Sequence, residues 1–174
     1  QLRKGPLPIQ KGAPDAADLL KRQRDIARPP QDVACSVFDL NAAVADAVEF
    51  IQPHLVTVAQ GHGISVLVTS RLSTVAVPVS GQSSALREVL VNLILNAIEA
   101  MPRGGDVTIE TVREGSRAAL RVTDTGVGMS EEVLTRVFTP FFTTKPAGNT
   151  GLGLSSAKDL VTSHGGTISV VSEL

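Results

Sequence analysis

Two glycine clusters with a long segment between them are the first residues whose types and spacing could do chemistry. Asp124 begins the run Asp-Thr-Gly-Val-Gly, and Gly151 begins the run Gly-Leu-Gly-Leu. Glycine lets backbone amides approach an anion closely, and the N-terminus of a helix attracts negative charge. A loop longer than about 12 to 15 residues is uncommon in a compact domain unless it has a function. The pattern therefore predicts a phosphate-binding lid over residues 126–150.

Three polar side chains interrupt an otherwise apolar helix that is predicted at residues 83–101. Glu88, Asn92 and Asn96 recur every four residues, so they share one helical face. The remaining positions are mostly Leu, Val, Ile and Ala, which predicts that the helix is largely buried. An unpaired buried amide costs about 1 to 3 kcal/mol, so either this face is exposed to solvent or a polar partner meets it.

Asp124 stands at the position where a predicted strand ends. Ala118, Leu120 and Val122 alternate along one face of that strand, and Asp124 continues the same face inward. An ordinary Asp-Thr-Gly turn would also explain an aspartate here. That simpler interpretation would be preferred if the glycine clusters and the polar helix face did not point to the same region.

The composition fits one soluble domain and argues against several classes of protein. The chain has 174 residues, a formal net charge of −1 and only 3% aromatic residues, with no Trp or Tyr. Stacking surfaces for single-stranded nucleic acid are therefore missing, and no nucleic-acid partner is expected. The lone Cys35 cannot form an intramolecular disulfide, which favours a reducing, cytoplasmic location. No apolar run reaches the ~18 residues of a membrane span, so this segment is not expected to contact a membrane, although its parent could be membrane-anchored.

Hydrophobic spacing predicts an α/β two-layer sandwich, with a mixed sheet of about five strands and three main helices on one face. The first helix is predicted to begin at Asn41 as N-cap, to kink at Pro53 and to end at Gly61. Strands are predicted at 64–69, 75–79, 107–112, 118–123 and 168–171, the first two joined by a turn and the next two forming a hairpin. Further helical segments are predicted after Ser130 and Gly153.

Several well-known nucleotide and hydrolase motifs are missing from the sequence. No Gly-Lys-Ser or Gly-Lys-Thr forms a Walker A loop, and Glu131 stands where a dinucleotide fingerprint beginning at Gly126 requires glycine. The protein-kinase motifs Val-Ala-Ile-Lys and His-Arg-Asp are also missing, as are Gly-x-Ser-x-Gly and His-Glu-x-x-His. These absences leave a nucleotide site of a different kind.

The motifs that remain resemble the catalytic ATP-binding domain of sensor histidine kinases, in the class that also includes gyrase, heat-shock protein ninety and MutL. The similarity covers residues 38–174 and includes an asparagine box at 92–97, a first glycine box at 124–128, a phenylalanine box at 138–142, a second glycine box at 151–154 and a closing turn at 164–167. One such match would be weak, but these motifs occurring in order are very specific. The segments at 96–101 and 139–145 are most similar to nitrogen-sensor kinases.

The resemblance implies a Bergerat-type ATP-binding fold and a role for each motif. Asp124 is expected to accept a hydrogen bond from the adenine amino group, and Asn96 to ligate Mg²⁺ through its amide oxygen. Asn92, Glu88 and Lys145 are the expected catalytic residues, with Lys145 neutralising the triphosphate. The expected metal ligands are Asn96, Asn92 and Glu88, and the expected nucleotide contacts are Asn92, Asn96, Asp124, Gly126, Gly128, Phe138, Thr144, Lys145, Gly151, Leu152, Gly153, Leu154 and Thr167. Phe138, Phe141 and Phe142 are expected to form an apolar cluster that anchors the lid.

The implied function is transfer of the ATP γ-phosphoryl group to a histidine in the dimerisation domain of the same kinase, from which a response-regulator aspartate would take it. None of His54, His62 and His164 is followed by Glu or Asp, so the phosphoacceptor motif is missing here. The family continues into a further strand after the closing turn. We therefore expect a fragment, monomeric by itself and derived from a homodimeric parent, with a linker or dimerisation-helix remnant at 1–36 and a truncated catalytic domain at 37–174.

Two other functions remain open at this stage. An ATP-hydrolysing clamp of the gyrase or MutL type would have a glutamate base where this chain has Asn92, and would lack the phenylalanine box, although Glu88 lies only one turn away. A nucleotide-binding regulatory module without transferase activity is the second alternative. The intact motifs favour the kinase over both.

Overall fold

The computed structural model describes residues 35–145 and 149–174. The described residues form five strands and four helices. In chain order these are β1 (Ser36–Asp39), α1 (Leu40–His62), β2 (Val66–Arg71), β3 (Pro78–Gly81), α2 (Ser83–Glu99), β4 (Gly105–Glu114), β5 (Arg117–Asp124), α3 (Glu131–Arg136) and α4 (Gly153–Ser163). Almost all of the linker expected at 1–36 lies outside the described residues.

The strands are divided between two sheets. β2 and β4 pair in parallel and β4 and β5 pair antiparallel, which gives a three-stranded sheet in the order β2-β4-β5. β1 and β3 form a separate antiparallel pair, with Phe38 opposite Val79. The predicted β4–β5 hairpin is therefore confirmed. The expectation of one mixed sheet is corrected, because β2 and β3 follow one another in the chain but pair with different strands.

Two helices bury their apolar faces against the three-stranded sheet. The buried cluster is made by Val44, Ala47 and Ile51 of α1, Leu90, Ile94, Ala97 and Ile98 of α2, Met101, and Val107 and Ile109 of β4. The third long helix, α4, packs against α2. The predicted two-layer α/β sandwich is thus confirmed, and α2 is the helix that contacts the sheet as well as both other long helices.

Helix α1 is capped by Asp39 instead of Asn41. The Asp39 Oδ1 accepts a hydrogen bond from the Asn41 N–H at 3.1 Å, because the helix begins at Leu40. Asn41 has a tertiary role: its Nδ2 donates to the Ser73 carbonyl at 3.0 Å, and its Oδ1 accepts from the Thr111 hydroxyl at 2.6 Å. The prediction of Asn41 as N-cap is therefore wrong, and its amide instead holds α1 to β4.

The remaining helices agree with the predictions within a few residues. α1 continues through Pro53 and Gly61 to His62, and Gly63 follows it with a φ of 64°. The hydroxyl of Ser130 accepts from the Val133 N–H at 3.4 Å and begins α3, as predicted. Helix ends commonly differ from sequence predictions by one or two residues, so the later end of α1 is a small correction.

Residues 168–171 form no strand, although they were predicted to be one. Val171 is exposed, and the following Ser172 hydroxyl accepts a hydrogen bond from the Met129 N–H at 2.9 Å. Alternating residue types produce a strand only where the backbone can join a ladder of hydrogen bonds. Here the chain around Ser172 is held beside the first glycine box by the Ser172 side chain and not by a ladder of backbone hydrogen bonds.

Leu90→Ala is expected to lower the free energy of unfolding by about 2 to 5 kcal/mol, because it removes a large side chain from a site that is 0% exposed. Leu67→Ala on β2 makes the same chemical change at a position that is 61% exposed, and it should change stability by no more than about 0.5 kcal/mol. Urea denaturation of both variants tests the assignment of α2 to the core. Equal losses in the two variants would contradict it.

Candidate functional site

The polar face of α2 becomes more buried along the helix. The apolar residues of α2 hold it against the sheet and α1, which fixes the direction in which the polar face points. Asn92 and Asn96 are half-buried on this face, whereas Glu88 is exposed. The two asparagines therefore have protein neighbours, and Glu88 fits the solvent-exposed alternative.

The second glycine box meets these asparagines. A Cβ built at Gly153, the first residue of α4, would lie 3.6 Å from the Asn96 Nδ2 and 3.9 Å from the Asn92 Oδ1. Gly153 thus brings backbone of the helix N-terminus into contact with both amide side chains. The N-terminal amides of a helix and the positive end of its dipole favour an anion at this position.

Gly151 connects the second glycine box to the phenylalanine box. Gly151 has a φ of 65°, and a Cβ there would lie 2.6 Å from the Phe141 carbonyl carbon and 2.8 Å from the Phe142 carbonyl oxygen. Any larger residue would collide with backbone, so only glycine permits this approach. The two boxes therefore pack directly on one another.

Two of the three phenylalanines in the box make cation–π contacts. The Arg136 guanidinium of α3 lies 4.3 Å from the centre of the Phe142 ring, and the Lys158 ammonium of α4 lies 5.5 Å from that of Phe138. Phe141 is 76% exposed and has a φ of 64°, which is uncommon for a bulky residue. The predicted cluster of three phenylalanines is therefore corrected, because Phe138 and Phe142 contact different cations and Phe141 is exposed. Phe142 contacts α3 within the predicted lid, and Phe138 connects the lid to α4.

The first glycine box packs on the C-terminal end of α2. The Asp124 Oδ1 accepts a hydrogen bond from the Gly126 N–H at 2.8 Å, and the Val127 N–H donates to the Ala100 carbonyl at 3.0 Å. A Cβ on Gly126 would lie 2.7 Å from that same Ala100 oxygen. Asp124 is exposed, so its carboxylate is not buried with the apolar residues that precede it on β5. The Asp-Thr-Gly turn is present, and its carboxylate lies at an open edge of the sheet.

Lys145 joins the lid to α2 at Asn96. The Lys145 Nζ donates to the Asn96 Oδ1 at 2.8 Å and forms an ion pair with Glu99. The Lys145 side chain is 30% exposed, so solvent screens this pair only partly. Sequence analysis predicted Lys145 as a phosphate contact and missed Glu99. The signal for Glu99 was its spacing of three residues from Asn96, which places both side chains on one helical face.

Some of the predicted nucleotide and metal contacts do not join Asn92, Asn96 and Lys145. Glu88, Thr144 and Thr167 are exposed, and their side chains make no hydrogen bond or ion pair to the described part of the chain. Gly128 has a φ of 71° and approaches the backbone of Glu173. Residues 146–148 of the predicted lid are not among the described residues. The structure therefore assembles Asn92, Asn96, Lys145 and the second glycine box at one point on α2, with Asp124 and the first glycine box at its end.

Residues 81–174 match the family model described as histidine kinase-, DNA gyrase B-, and HSP90-like ATPase. The chain belongs to this ATPase family. The matched region begins immediately before α2 and includes every predicted site residue of this ATPase domain. The resemblance inferred from the motifs is thereby confirmed.

The relatives of this ATPase domain include sensor histidine kinases. ZraS of Salmonella typhi is 34% identical in an alignment 152 positions long, and the alignment covers 76% of this chain and 32% of ZraS. Sporulation kinase C of Bacillus subtilis (strain 168) is 42% identical over 95 residues, which are 55% of this chain and 22% of that kinase. The solved structure of a mycobacterial sensor histidine kinase, MprB, has a TM-score of 0.63 at 25% identity and covers 76% of this chain and 81% of its own. The chain thus spans about a third or less of these two curated relatives, and the expected Bergerat-type fold is confirmed.

The described residues contain no helix that is long and apolar enough to cross a membrane. They also contain no group of three or more His, Cys, Asp and Glu side chains that could hold a metal ion.

Gly126→Ala is expected to lower the free energy of unfolding by about 1 to 3 kcal/mol, because the added methyl group collides with the end of α2. Gly61→Ala is the matched control. No atom lies within 4 Å of a Cβ at Gly61, and replacing a helical glycine by alanine adds about 0.5 to 1 kcal/mol of stability. Guanidinium denaturation measures both changes. A Gly126→Ala variant that is as stable as the wild type, or more stable, would contradict the close packing of the first glycine box.

Proposed function

We propose that this ATPase domain transfers the γ-phosphoryl group of ATP to a histidine on a dimerisation domain of the same kinase. The observation that carries the proposal is the contact between the second glycine box and the asparagine face, with Gly153 beside Asn92 and Asn96. A helix N-terminus, which favours phosphate, thereby lies beside two asparagine side chains, whose amide oxygens suit a divalent cation. The names of the relatives supply the reaction class. We expect the acceptor histidine on a separate dimerisation domain, because none of the three histidines of this chain is followed by Glu or Asp.

The residues at the asparagine face fit the triphosphate of ATP. The Gly153 backbone lies beside the side chains of Asn92 and Asn96, and the amides of the first turn of α4 are aligned with the helix dipole. The Lys145 ammonium lies within hydrogen-bond distance of Asn96 and adds a positive charge at the same place. A phosphate chain here is therefore met by backbone donors and by one cation from the lid.

The same face fits Mg²⁺ that enters with the nucleotide. Mg²⁺ uses one or two protein oxygens together with phosphate oxygens and water, and Asn96 offers an amide oxygen that already accepts from a cation. Asn96 would hold the metal through this oxygen, and Lys145 would then have to give up its hydrogen bond to Asn96, because two cations at one oxygen repel each other. The nearby Lys145 ammonium would remain available to neutralise phosphate charge.

The residues near the phosphates favour transfer over hydrolysis. Asn92 lies beside Gly153, and a neutral amide cannot take a proton from water. Glu88 is exposed, and Glu99 forms an ion pair with Lys145. A general base typically contributes about 10² to 10⁴-fold in rate, whereas neutral imidazole can attack without one. ATP bound here therefore persists until an acceptor histidine arrives, unlike ATP in a hydrolysing clamp.

The proposal implies further partners. Residues 37–174 would act as the catalytic unit, and the dimerisation domain would make the parent a homodimer. A response-regulator aspartate would then receive the phosphoryl group from the histidine. Catalysis in such transfers consists of positioning and charge neutralisation, which is what the asparagine face and Lys145 can supply.

Asp124→Asn is expected to weaken ATP binding by about 10- to 150-fold, the range for losing a hydrogen bond to a charged group. An Asn oxygen can still accept from the Gly126 N–H and preserve the turn, but its amide group presents a donor to the donor on adenine. Asp159→Asn, an exposed position on α4, is the control and should leave binding unchanged. Titration calorimetry gives both dissociation constants. An unaltered constant in Asp124→Asn would remove this carboxylate from the nucleotide pocket.

Incubation with γ-labelled ATP tests the reaction itself. The chain alone should release phosphate very slowly and remain unlabelled, and it should produce acid-labile label on a separately supplied dimerisation domain. Asn96→Ala should lower the transfer rate because a metal oxygen ligand is lost. An acceptor domain whose histidine is replaced by alanine is the control and should stay unlabelled. Label on the chain by itself, or rapid phosphate release without the acceptor, would overturn the proposal.

A further inference from the structure

His164, the first residue after α4, links the end of that helix to the start of α2. Its Nε2 accepts a hydrogen bond from the Gln82 N–H at 3.1 Å, and its Nδ1 lies 2.7 Å from the Leu160 carbonyl oxygen. Gln82 is the residue that precedes α2, so one imidazole ring bridges two helices. Neither the phosphate contacts nor the asparagine face uses this residue.

The two backbone partners of the ring determine its tautomer. A backbone N–H can only donate, so the Nε2 facing Gln82 carries no proton. A carbonyl oxygen can only accept, so the Nδ1 facing Leu160 carries the proton. The bridge therefore requires a neutral imidazole with the proton on Nδ1, and aliphatic or purely aromatic side chains cannot make it.

Gly81 provides the space that the ring occupies. The three atoms nearest to a Cβ at Gly81 all belong to the His164 ring, and the Nε2 would lie 3.1 Å away. A methyl group at Gly81 would also clash with the Cδ2 of the ring. Gly81 has no left-handed φ, so the need for glycine here comes from the ring and not from the backbone.

Helices α2 and α4 are thus in contact at both ends of α4. Gly153 lies at Asn92 and Asn96, while His164 lies at Gln82. The 11 residues of α4 span about 16 Å at 1.5 Å per residue. Asn92 and Asn96 follow Gln82 by 10 and 14 residues, or about 15 to 21 Å along α2. The helices run antiparallel, and the imidazole fixes how far one can slide along the other.

We propose that His164 is a positioning residue that sets the register of α4 against α2, and so places the second glycine box at the asparagine face. The inference rests on the proposed function only in assuming that the second glycine box holds the phosphates of ATP. A displacement of about 1 Å at a reacting centre can cost on the order of 100-fold in rate, so a register bond remote from the phosphates has a measurable effect. Its effect falls on the phosphate end of the nucleotide, because the first glycine box is held instead by the Gly126 hydrogen bond to Asp124 and the Val127 hydrogen bond to Ala100.

The test compares ATP with adenosine, which has no phosphates. His164→Phe keeps a ring beside Gly81 and removes both hydrogen bonds. The dissociation constant for Mg·ATP should rise by about 3- to 10-fold, the effect of a lost neutral hydrogen bond, whereas that for adenosine should stay the same. His164→Gln can again accept from the Gln82 N–H and should recover part of the ATP affinity. Thr162→Ala, an exposed position in the last turn of α4, is the control and should leave both constants unchanged.

Gly81→Ala, at the end of β3, tests the same contact from its other side. It pushes the ring away without altering α4, so it should weaken ATP binding in the same way as His164→Phe. In a His164→Ala background the space is already empty, and adding Gly81→Ala should have little further effect. Such non-additivity is the signature of two residues acting through one contact.

Three outcomes would overturn the inference. One is an unchanged ratio of the adenosine and ATP dissociation constants in His164→Phe, because a general loss of folded structure lowers both affinities together. Another is additive effects of Gly81→Ala and His164→Ala. The third is a wild-type chain that binds ATP no more tightly than adenosine. These measurements need no acceptor domain, so failed phosphoryl transfer with an altered ratio would reject the proposed function and leave the role of His164 intact.

Discussion

Helix α2 must bury apolar residues against the sheet and two other helices while it leaves two asparagine side chains on a half-buried face. Most of the site depends on this constraint. Ala100, at the end of α2, accepts from the first glycine box, and Asn92 and Asn96 meet the second. Lys145 reaches the same face from the lid. Because each group contacts α2 instead of solvent, elements far apart in sequence are held at fixed positions relative to one another.

Neutral amides suit this face for an electrostatic reason. An asparagine offers both a donor and an acceptor, so it can be satisfied by an ammonium, a metal ion or a backbone group in turn. A carboxylate at Asn92 would repel a triphosphate and could serve as a base for water. The carboxylate of Glu99, three residues after Asn96, is paired with Lys145. The charge that completes the site is therefore expected to come from the nucleotide and its metal.

Local patterns in the sequence predicted the parts of the site that depend on near neighbours. The four-residue spacing on α2, the β4–β5 hairpin and the glycine clusters involve residues that are close along the chain, and the structure has them as predicted. Contacts between segments that are far apart in the sequence could not be predicted from such local patterns. The pairing of Glu99 with Lys145, the bridge from His164 to Gln82 and the separate pairing of β1 with β3 each join distant segments. The strand predicted at residues 168–171 is wrong for the same reason, because alternating residue types do not show whether a neighbouring strand is present to pair with.

The central claim is that both glycine boxes and the asparagine face form a single ATP site on α2. Titration of the ¹⁵N-labelled chain with Mg·ATP, followed by amide NMR signals, tests it most directly. The account predicts that the signals of Gly126, Gly128, Gly151 and Gly153 and of the Asn96 side-chain amide all shift along one binding curve with one dissociation constant. Signals from only one glycine box, or two boxes that respond at different ATP concentrations, would contradict it.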